Sequence, residues 1–149
     1  MNIKMIFNTL GHILKVEAVL MVLPLIVSFI YNDGNYWSFI IPIIALLISG
    51  FALTIFVRPT RRNLFAKEGF VIVGISWIIM SLFGCLPFII SQEIPKFIDA
   101  FFETVSGFTT TGTTILSDVE VLSKSILFWR SFTHWIGGMG VLVFVLMVM

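Results

Sequence analysis

One short polar stretch decides how this chain is interpreted: Gly107-Phe108-Thr109-Thr110-Thr111-Gly112-Thr113-Thr114. It lies between two strongly apolar segments. An ion selectivity filter needs an extended backbone that directs carbonyl oxygens at a dehydrated cation, and a glycine that is free to adopt dihedral angles closed to other residues. Threonine hydroxyls add further oxygen ligands. The stretch therefore predicts a cation filter.

The composition predicts an all-α integral membrane protein. Hydrophobic residues make up 58% of the chain, charged residues 11%, and the mean hydropathy is +1.08, far above the apolar share of soluble domains. The 149 residues allow about four spans of roughly 20 residues each. No soluble catalytic domain fits in the remainder, so we expect neither an enzyme nor a cofactor. The chain has no basic tail or patch, which argues against a nucleic-acid partner.

Four apolar segments are predicted to cross the bilayer: 13–31, 36–57, 69–90 and 125–149. Each is long enough, at about 1.5 Å per helical residue, to cross roughly 30 Å of hydrocarbon. The first segment is not a signal peptide, because no small-residue cleavage site follows it and two complete spans come after it. Lone Cys85 lies within the third segment and cannot form an intrachain disulfide.

The basic residues predict the orientation, because they mark cytoplasmic loops. They precede or open the first span and crowd the connection between spans two and three: Lys4, Lys15, Arg58, Arg61, Arg62 and Lys67. The N-terminus is therefore expected in the cytoplasm. Acidic residues dominate the opposite connections: Asp33, Glu93, Asp99, Glu103, Asp118 and Glu120, with Lys96 and Lys124 among them. An acidic outer vestibule would raise the cation concentration beside the filter.

More than thirty residues separate spans three and four, and they are too apolar for a solvated loop. Residues 95–106 are predicted to form a short helix with Pro95 in its first turn and Asp99 close behind. This helix has about half the length of a crossing. It is either re-entrant or an amphipathic helix on the surface, and periodicity alone does not separate the two. The order of span, half-span, glycine-threonine stretch and span favours the re-entrant form, whose extended return is tolerated only against protein or a water-filled path.

Two longer stretches carry a resemblance to a known family: DAFFETVSGFTTTGTT at 99–114 and LFWRSFTHWIGGMG at 127–140. They resemble the first pore repeat of the TrkH family, the membrane subunits of Trk-type potassium transporters. The resemblance implies two leading helices followed by four repeats of helix, pore helix, filter and helix around one potassium path. Residues 1–68 would then be the leading pair with its cytoplasmic connection. Residues 69–149 would be repeat one, with its pore helix at 95–106 and its filter at 109–114.

The resemblance also implies a function and a site. Gly112 corresponds to the filter glycine, and Thr110, Thr111 and Thr113 supply carbonyl or hydroxyl oxygens beside it. The implied activity is uptake of potassium, or another monovalent cation, across the cytoplasmic inner membrane. In the family this subunit works with a cytosolic nucleotide-binding ring that gates it. The present sequence contains no nucleotide-binding motif.

Repeats two to four are missing, although a filter ring needs four contributions around its axis. We therefore expect this chain to be an incomplete N-terminal fragment that is completed by the missing repeats. Two alternatives stay open. Four copies could assemble into a homotetrameric cation channel, or the repeat could serve only as a non-conducting membrane assembly module.

Arg130 and His134 lie four residues apart on one face of the last span. Ionisable residues within a membrane are costly and face protein or water. We expect Arg130 to pair with Glu103 or Asp99 behind the filter, because a permanent cation in the ion path would oppose conduction. His134 has no second ligand at metal-binding spacing.

Several other residues have predicted structural roles. Glu17 is expected near the cytoplasmic interface, where it extends towards water beside Lys15, with proton coupling as the alternative. Trp77 is expected to pack inside, whereas other tryptophans suit interfacial belts. Three glycines leave one face of the last span without side chains: Gly137, Gly138 and Gly140. This face predicts close helix packing or bending.

Overall fold

The computed structural model describes residues 3–57 and 66–148, and within these ranges the chain is helical without any strand. The helices are α1 (Ile3–Leu20), α2 (Val22–Tyr31), α3 (Tyr36–Phe56), α4 (Ala66–Gly84), α5 (Leu86–Ile90), α6 (Phe97–Phe108) and α7 (Lys124–Val148). Three segments are long and apolar enough to cross a membrane: Ile3–Tyr31, Tyr36–Phe56 and Lys67–Ile90. The protein is thus an all-α, multi-pass membrane protein. The fourth crossing, which α7 would make with its 25 residues, stays a prediction.

The first span is longer than predicted and is broken in the middle. Its helix begins at Ile3 rather than at residue 13. It therefore includes polar residues that the predicted apolar segment, 13–31, left out. The α-helix is interrupted at Met21, between α1 and α2. Pro24 follows, and its ring nitrogen cannot donate the hydrogen bond that the carbonyl of Leu20 would otherwise accept. The missing bond accounts for the interruption of the helix here.

Helices α1 and α3 pack closely because glycines face each other across their contact. A Cβ atom added to Gly11 would lie 2.9 Å from the carbonyl oxygen of Gly50, and one added to Gly50 would lie 2.9 Å from that of Gly11. Small residues at a crossing let helix backbones approach in this way. Asn8 donates from its side-chain amide to the carbonyls of Thr54, at 3.3 Å, and Val57, at 3.1 Å. These bonds satisfy carbonyls at the end of α3.

The third span consists of α4 and α5, which are separated at Cys85. Pro87 lies in the first turn of α5, where its missing N–H is tolerated. The connection before α4 contains the predicted cytoplasmic Arg58, Arg61 and Arg62, which lie outside the described residues.

The short helix α6 runs from Phe97 to Phe108, two residues later at each end than the predicted 95–106. Pro95 lies outside the helix rather than in its first turn, because the capping residue Lys96 is extended, with φ −79° and ψ 126°. Asp99 does lie in the first turn, where an acidic side chain is favourable. At 12 residues the helix is about 18 Å long, too short to cross.

Helix α6 is held between α4 and α7, and this packing positions the stretch that follows it. Its last residue, Phe108, is buried and meets the ring of Trp129 edge-on, with centroids 6.4 Å apart and planes at 81°. Other members of the same core are Met21, between α1 and α2, and residues of α3 and α5: Phe39, Leu46 and Phe88. The core therefore closes around the end of α6, where the predicted filter begins.

Candidate cation site

The C-terminus of α6 has a tight and strained geometry. The N–H of Thr110 donates to the carbonyl of Gly107, and the N–H of Thr111 donates to the carbonyl of Ser106, both at 2.9 Å. This pair of bonds is a Schellman motif, which requires a left-handed residue just after the helix. Thr110 occupies that position with φ +56°, a strained conformation for a β-branched residue. Backbone strain of this kind is concentrated at functional sites.

Gly107 is part of α6, although it lies beyond the predicted helix at 95–106 and before the predicted filter at 109–114. A Cβ atom at this position would lie 2.1 Å from Oγ1 and 2.9 Å from Cβ of Thr133 in α7. Gly107 is therefore required for close contact between the two helices. The stretch that leaves the helix begins at Thr109, and Gly112 is its only glycine, with φ +77°.

Residues Thr109 to Thr113 form an exposed wall, which we call the threonine segment. The carbonyl oxygen of Thr113 accepts a hydrogen bond of 2.5 Å from the hydroxyl of Ser106 in α6. The hydroxyls of Thr109 and Thr111 lie 2.8 Å apart. The four predicted filter residues thus lie together in one short segment that is fixed to α6. A Cβ atom at Gly112 would meet no heavy atom within 4 Å.

A buried ion pair supports the threonine segment from behind. Arg130 Nε lies 3.1 Å from Glu103 Oε2, with the two side chains 13% and 0% exposed, respectively. The other carboxylate oxygen of Glu103 accepts hydrogen bonds from the hydroxyl of Thr114 and, at 2.7 Å, from the backbone N–H of Ile115. Glu103 thereby joins α6, the segment that leaves the filter region, and α7. Of the two partners expected for Arg130, the structure places Glu103 at the guanidinium.

Sequence reasoning missed Ser106 and Thr114, the two hydroxyl residues that fasten the threonine segment at its far end. Their hydroxyls were not distinguishable from those of the other residues in a threonine-rich run. The spacing in the sequence could have indicated Ser106, because Ser106 and Glu103 are three residues apart and lie on one face of a helix. Their bonds to Thr113 and Thr114 show that this face points towards the returning segment.

Close packing of α7 is concentrated at one of its three glycines. A Cβ atom on Gly137 would lie 2.2 Å from the carbonyl oxygen of Phe108, whereas the nearest atoms to Gly138 and Gly140 are 4.0 and 3.9 Å away. Close packing is therefore confirmed at Gly137 alone. Since Phe108 ends α6, this contact fixes the point at which the threonine segment starts.

Gly84, at the end of α4, contacts residues of both α6 and α7. Its carbonyl accepts a hydrogen bond of 2.8 Å from the indole N–H of Trp129. Trp129 is fully buried, so it is not part of an interfacial belt, while Trp37 and Trp135 are exposed. Contacts at Gly84 are so close that a Cβ there would lie 2.9 Å from Thr104 Cγ2.

Two of the acidic residues predicted for the vestibule, Asp33 and Glu93, hold the start of α7. Asp33 accepts hydrogen bonds from Ser28, at 2.5 Å, and from the backbone N–H groups of Asn35 and Ser125, at 3.1 and 3.0 Å. Partial burial acts to raise the pKa of Asp33, but these hydrogen bonds outweigh it and hold the pKa below its ordinary value. Glu93 accepts from the N–H of Ser123, at 3.0 Å. Two carboxylates at a helix N-terminus are also favoured by its dipole.

Not all of the acidic side chains predicted for the vestibule are accessible to solvent, because Glu103 is buried in its ion pair. Asp118 and Glu120 are exposed. The described residues hold no group of three or more His, Cys, Asp or Glu side chains that could bind a metal. His134 lies with Nδ1 3.0 Å from the carbonyl oxygen of Arg130, one turn earlier in α7.

Glu17 does not extend towards water, contrary to prediction. It is 0% exposed, and neither carboxylate oxygen has a hydrogen-bond partner among the described residues. Lys15 turns towards α3, with its ammonium 3.5 Å from the hydroxyl of Thr54 and 5.1 Å from the ring centroid of Phe51. The Lys15 side chain therefore contacts α3, whereas the Glu17 carboxyl is enclosed within the protein.

The sequence profile of the TrkH family, described as cation transport protein, matches residues 37–149. The chain belongs to the TrkH family. Among solved structures, the crystal structure of the potassium transporter TrkH from Vibrio parahaemolyticus superposes with a TM-score of 0.92 at 35% identity. The match covers 99% of this chain and 32% of the TrkH chain. The fold described above is therefore a TrkH fold.

Similarity to curated relatives supports the assignment of this chain to the TrkH family. An uncharacterised cation transporter of Methanocaldococcus jannaschii is 40% identical over 95% of this chain. The Trk system potassium uptake protein TrkH of Escherichia coli K12 is 37% identical over 96% of this chain. This chain spans about 30% of the length of both relatives.

Proposed function

We propose that this chain is the N-terminal part of the pore-forming subunit of a Trk-type transporter, which takes up potassium or another monovalent cation across the inner membrane. One observation carries the proposal. The threonine segment is exposed along its length, while a buried ion pair, Glu103 with Arg130, fixes it from behind. A strained, oxygen-rich wall with firm support is what an ion path needs on each of its sides.

A single wall cannot surround an ion. Because the chain spans about 30% of the length of its TrkH relatives, we infer that three further repeats supply the facing walls. Residues 1–68 would be the leading pair, and residues 69–149 the first pore repeat with four spans in the whole chain. The partial negative charge at the C-terminus of α6 favours a cation at the threonine segment.

Within this wall, we assign the ion-binding oxygens to Thr110, Thr111, Gly112 and Thr113. The carbonyl of Thr113 already accepts a hydrogen bond from Ser106, so the hydroxyl of Thr113 is assigned as its ligand. Glu103 and Arg130 are assigned as filter support. By family likeness, a cytosolic nucleotide-binding ring would dock on the side that carries Lys4 and Lys67.

Gly112→Ser, tested in the complete polypeptide, is expected to weaken potassium uptake or its preference over sodium about tenfold, equivalent to roughly 1.4 kcal/mol of lost ion coordination. The complete polypeptide is this chain joined to the remaining repeats of a TrkH relative. Gly112 has φ +77°, which a side chain disfavours. Rubidium uptake per folded molecule, in cells that lack their own potassium uptake systems, measures the effect.

The matched control is Gly34→Ser. Gly34 also has φ +77°, and a Cβ there also meets nothing within 4 Å. Both substitutions therefore impose a similar backbone strain, but Gly34 lies in the loop between α2 and α3. If the two variants transport alike, Gly112 is not in the filter and the assignment fails.

The orientation can be tested with single cysteines at Glu120 and Asn63. We expect an impermeant thiol reagent to label Glu120→Cys in intact cells and Asn63→Cys only after permeabilisation, because the basic loop is placed in the cytoplasm. The wild type serves as the background, since its Cys85 is fully buried. Labelling of Asn63→Cys in intact cells would reverse the topology.

A further inference from the structure

A carboxyl group with no partner is enclosed in the middle of the helix bundle. Glu17 is 0% exposed within this chain alone. A side chain from the rest of the transporter therefore has no access to it. Both of its carboxylate oxygens lack a hydrogen-bond partner among the described residues. The proposed filter function makes no use of this group.

Glu17 lies directly behind the pore helix. A Cβ atom added to Gly84 would lie 3.4 Å from Glu17 Oε1, 2.9 Å from Thr104 Cγ2 and 3.0 Å from Phe108 Cε2. Glu17 and the second half of α6 thus approach the same point beside Gly84, which has no side chain to separate them. Phe108 is the last residue of α6, and the threonine segment starts immediately after it.

No cation in the described structure neutralises Glu17. The ammonium of Lys15 is turned towards Thr54 and Phe51 of α3, and Arg130 is paired with Glu103. The ionisable group beside Glu17 on the neighbouring span is the thiol of Cys85, which is itself buried. Helices α2, α3 and α5 contain no Asp, Glu, Lys, Arg or His.

The first turn of α4 is also remote from this carboxyl. Gly84 lies eighteen residues along α4 from Ala66, a rise of about 27 Å. The charged residues Lys67 and Glu68 lie in that distant first turn. A bare carboxylate with neither counter-ion nor hydrogen bond is so costly in an apolar interior that the group takes up a proton instead.

We propose that Glu17 is a proton-binding site behind the pore helix and that it releases its proton when a cation occupies the filter. The linkage follows from electrostatics across a dry interior. A cation at the threonine segment stabilises the ionised carboxylate, whereas the partial negative charge at the end of α6 opposes ionisation when the filter is empty. By reciprocity, loss of the proton tightens cation binding. The linkage rests on the proposed function, whereas the proton site itself does not.

The proton site is tested by infrared spectroscopy of the complete polypeptide in deuterated buffer. The difference spectrum between wild type and Glu17→Gln is expected to contain the carbonyl band of a protonated carboxyl at neutral pH. The control, Glu120→Gln, removes an exposed acid and should remove only a carboxylate band. Should Glu17→Gln fail to fold, Glu17→Met provides the difference spectrum. A carboxylate band in place of the acid band would overturn the proposal.

The linkage is tested by adding potassium chloride to the purified protein in weak buffer with a pH indicator, with choline chloride as the ionic control. Wild type and Glu120→Gln are expected to release protons at alkaline pH, and Glu17→Gln to release at least fivefold fewer. Potassium binding is followed separately, as thermal stabilisation by the ion. If potassium stabilises all three proteins and proton release is equal, the linkage is wrong. If potassium does not bind, the proposed function fails, while the infrared band still decides the state of Glu17.

Discussion

Arg130→Gln is expected to destabilise the complete polypeptide by about 3–5 kcal/mol, the cost of removing one member of a buried ion pair. Glu103 is 0% exposed and lies 3.1 Å from the Arg130 guanidinium, so its charge would stay buried without its counter-ion. The hydrogen bonds from Thr114 and Ile115 are too few to replace it. Thermal unfolding of the purified protein, together with the yield of monodisperse protein, measures the loss.

Lys124→Gln is the control, because it removes an exposed positive charge from the same helix. Such surface changes usually stay within about 0.5 kcal/mol. Equal unfolding temperatures for the two variants would mean that the ion pair does not support the fold. A further distinction comes from uptake per folded molecule, which Arg130→Gln should reduce because the end of the threonine segment loses its anchor.

Gly137→Ala should have a comparable effect through packing. Its new Cβ would lie 2.2 Å from the carbonyl oxygen and 2.6 Å from the carbonyl carbon of Phe108. Backbone atoms cannot rotate away, so α7 and the end of α6 must separate. Overpacking costs typically about 1–3 kcal/mol, and we expect the upper end, with a fall in uptake because the threonine segment moves. Unfolding temperature and rubidium uptake give the two readouts.

Gly138→Ala, one position further along α7, separates this clash from a general effect of side chains on the helix. The nearest heavy atom to its added Cβ is 4.0 Å away. Alanine is favoured over glycine in a helix by up to about 1 kcal/mol, so this variant should be as stable as the wild type or slightly more stable. Loss of stability in Gly138→Ala but not in Gly137→Ala would contradict the packing described here.

The sequence predicted the helical architecture because it depends on local features. Runs of apolar residues give the spans, and the predicted boundary of the second, 36–57, differs from α3 by one residue. The predicted half-length helix at 95–106 differs from α6 by two residues at each end. Its role as a pore helix and the filter beside it stay predictions. The membrane restricts the possible structures so strongly that composition and length suffice.

Errors arose where the decisive neighbour is far away in the chain. Gly107 was left outside the predicted short helix because its close partner, Thr133, lies 26 residues later. Trp129 was a candidate for an interfacial belt because its hydrogen-bond acceptor, Gly84, is 45 residues away. Glu17 was placed at the interface because a polar residue within an apolar run does not reveal what covers it. Tertiary contacts decide such cases, and periodicity carries no information about them.

The hydrogen bonds of Asp33 affect how the protein is assembled in the membrane. Its carboxylate accepts from Ser125, 92 residues later, and Glu93 accepts from Ser123 in the same turn. During synthesis α1 to α3 emerge first, and Asp33 lacks its bond from Ser125 until α7 has been made. The contact between the α2–α3 loop and α7 therefore forms late. Its donor is a backbone N–H that any residue except proline supplies, so an exchange of α1 to α3 between relatives needs to keep only the carboxylate of Asp33 to preserve this contact.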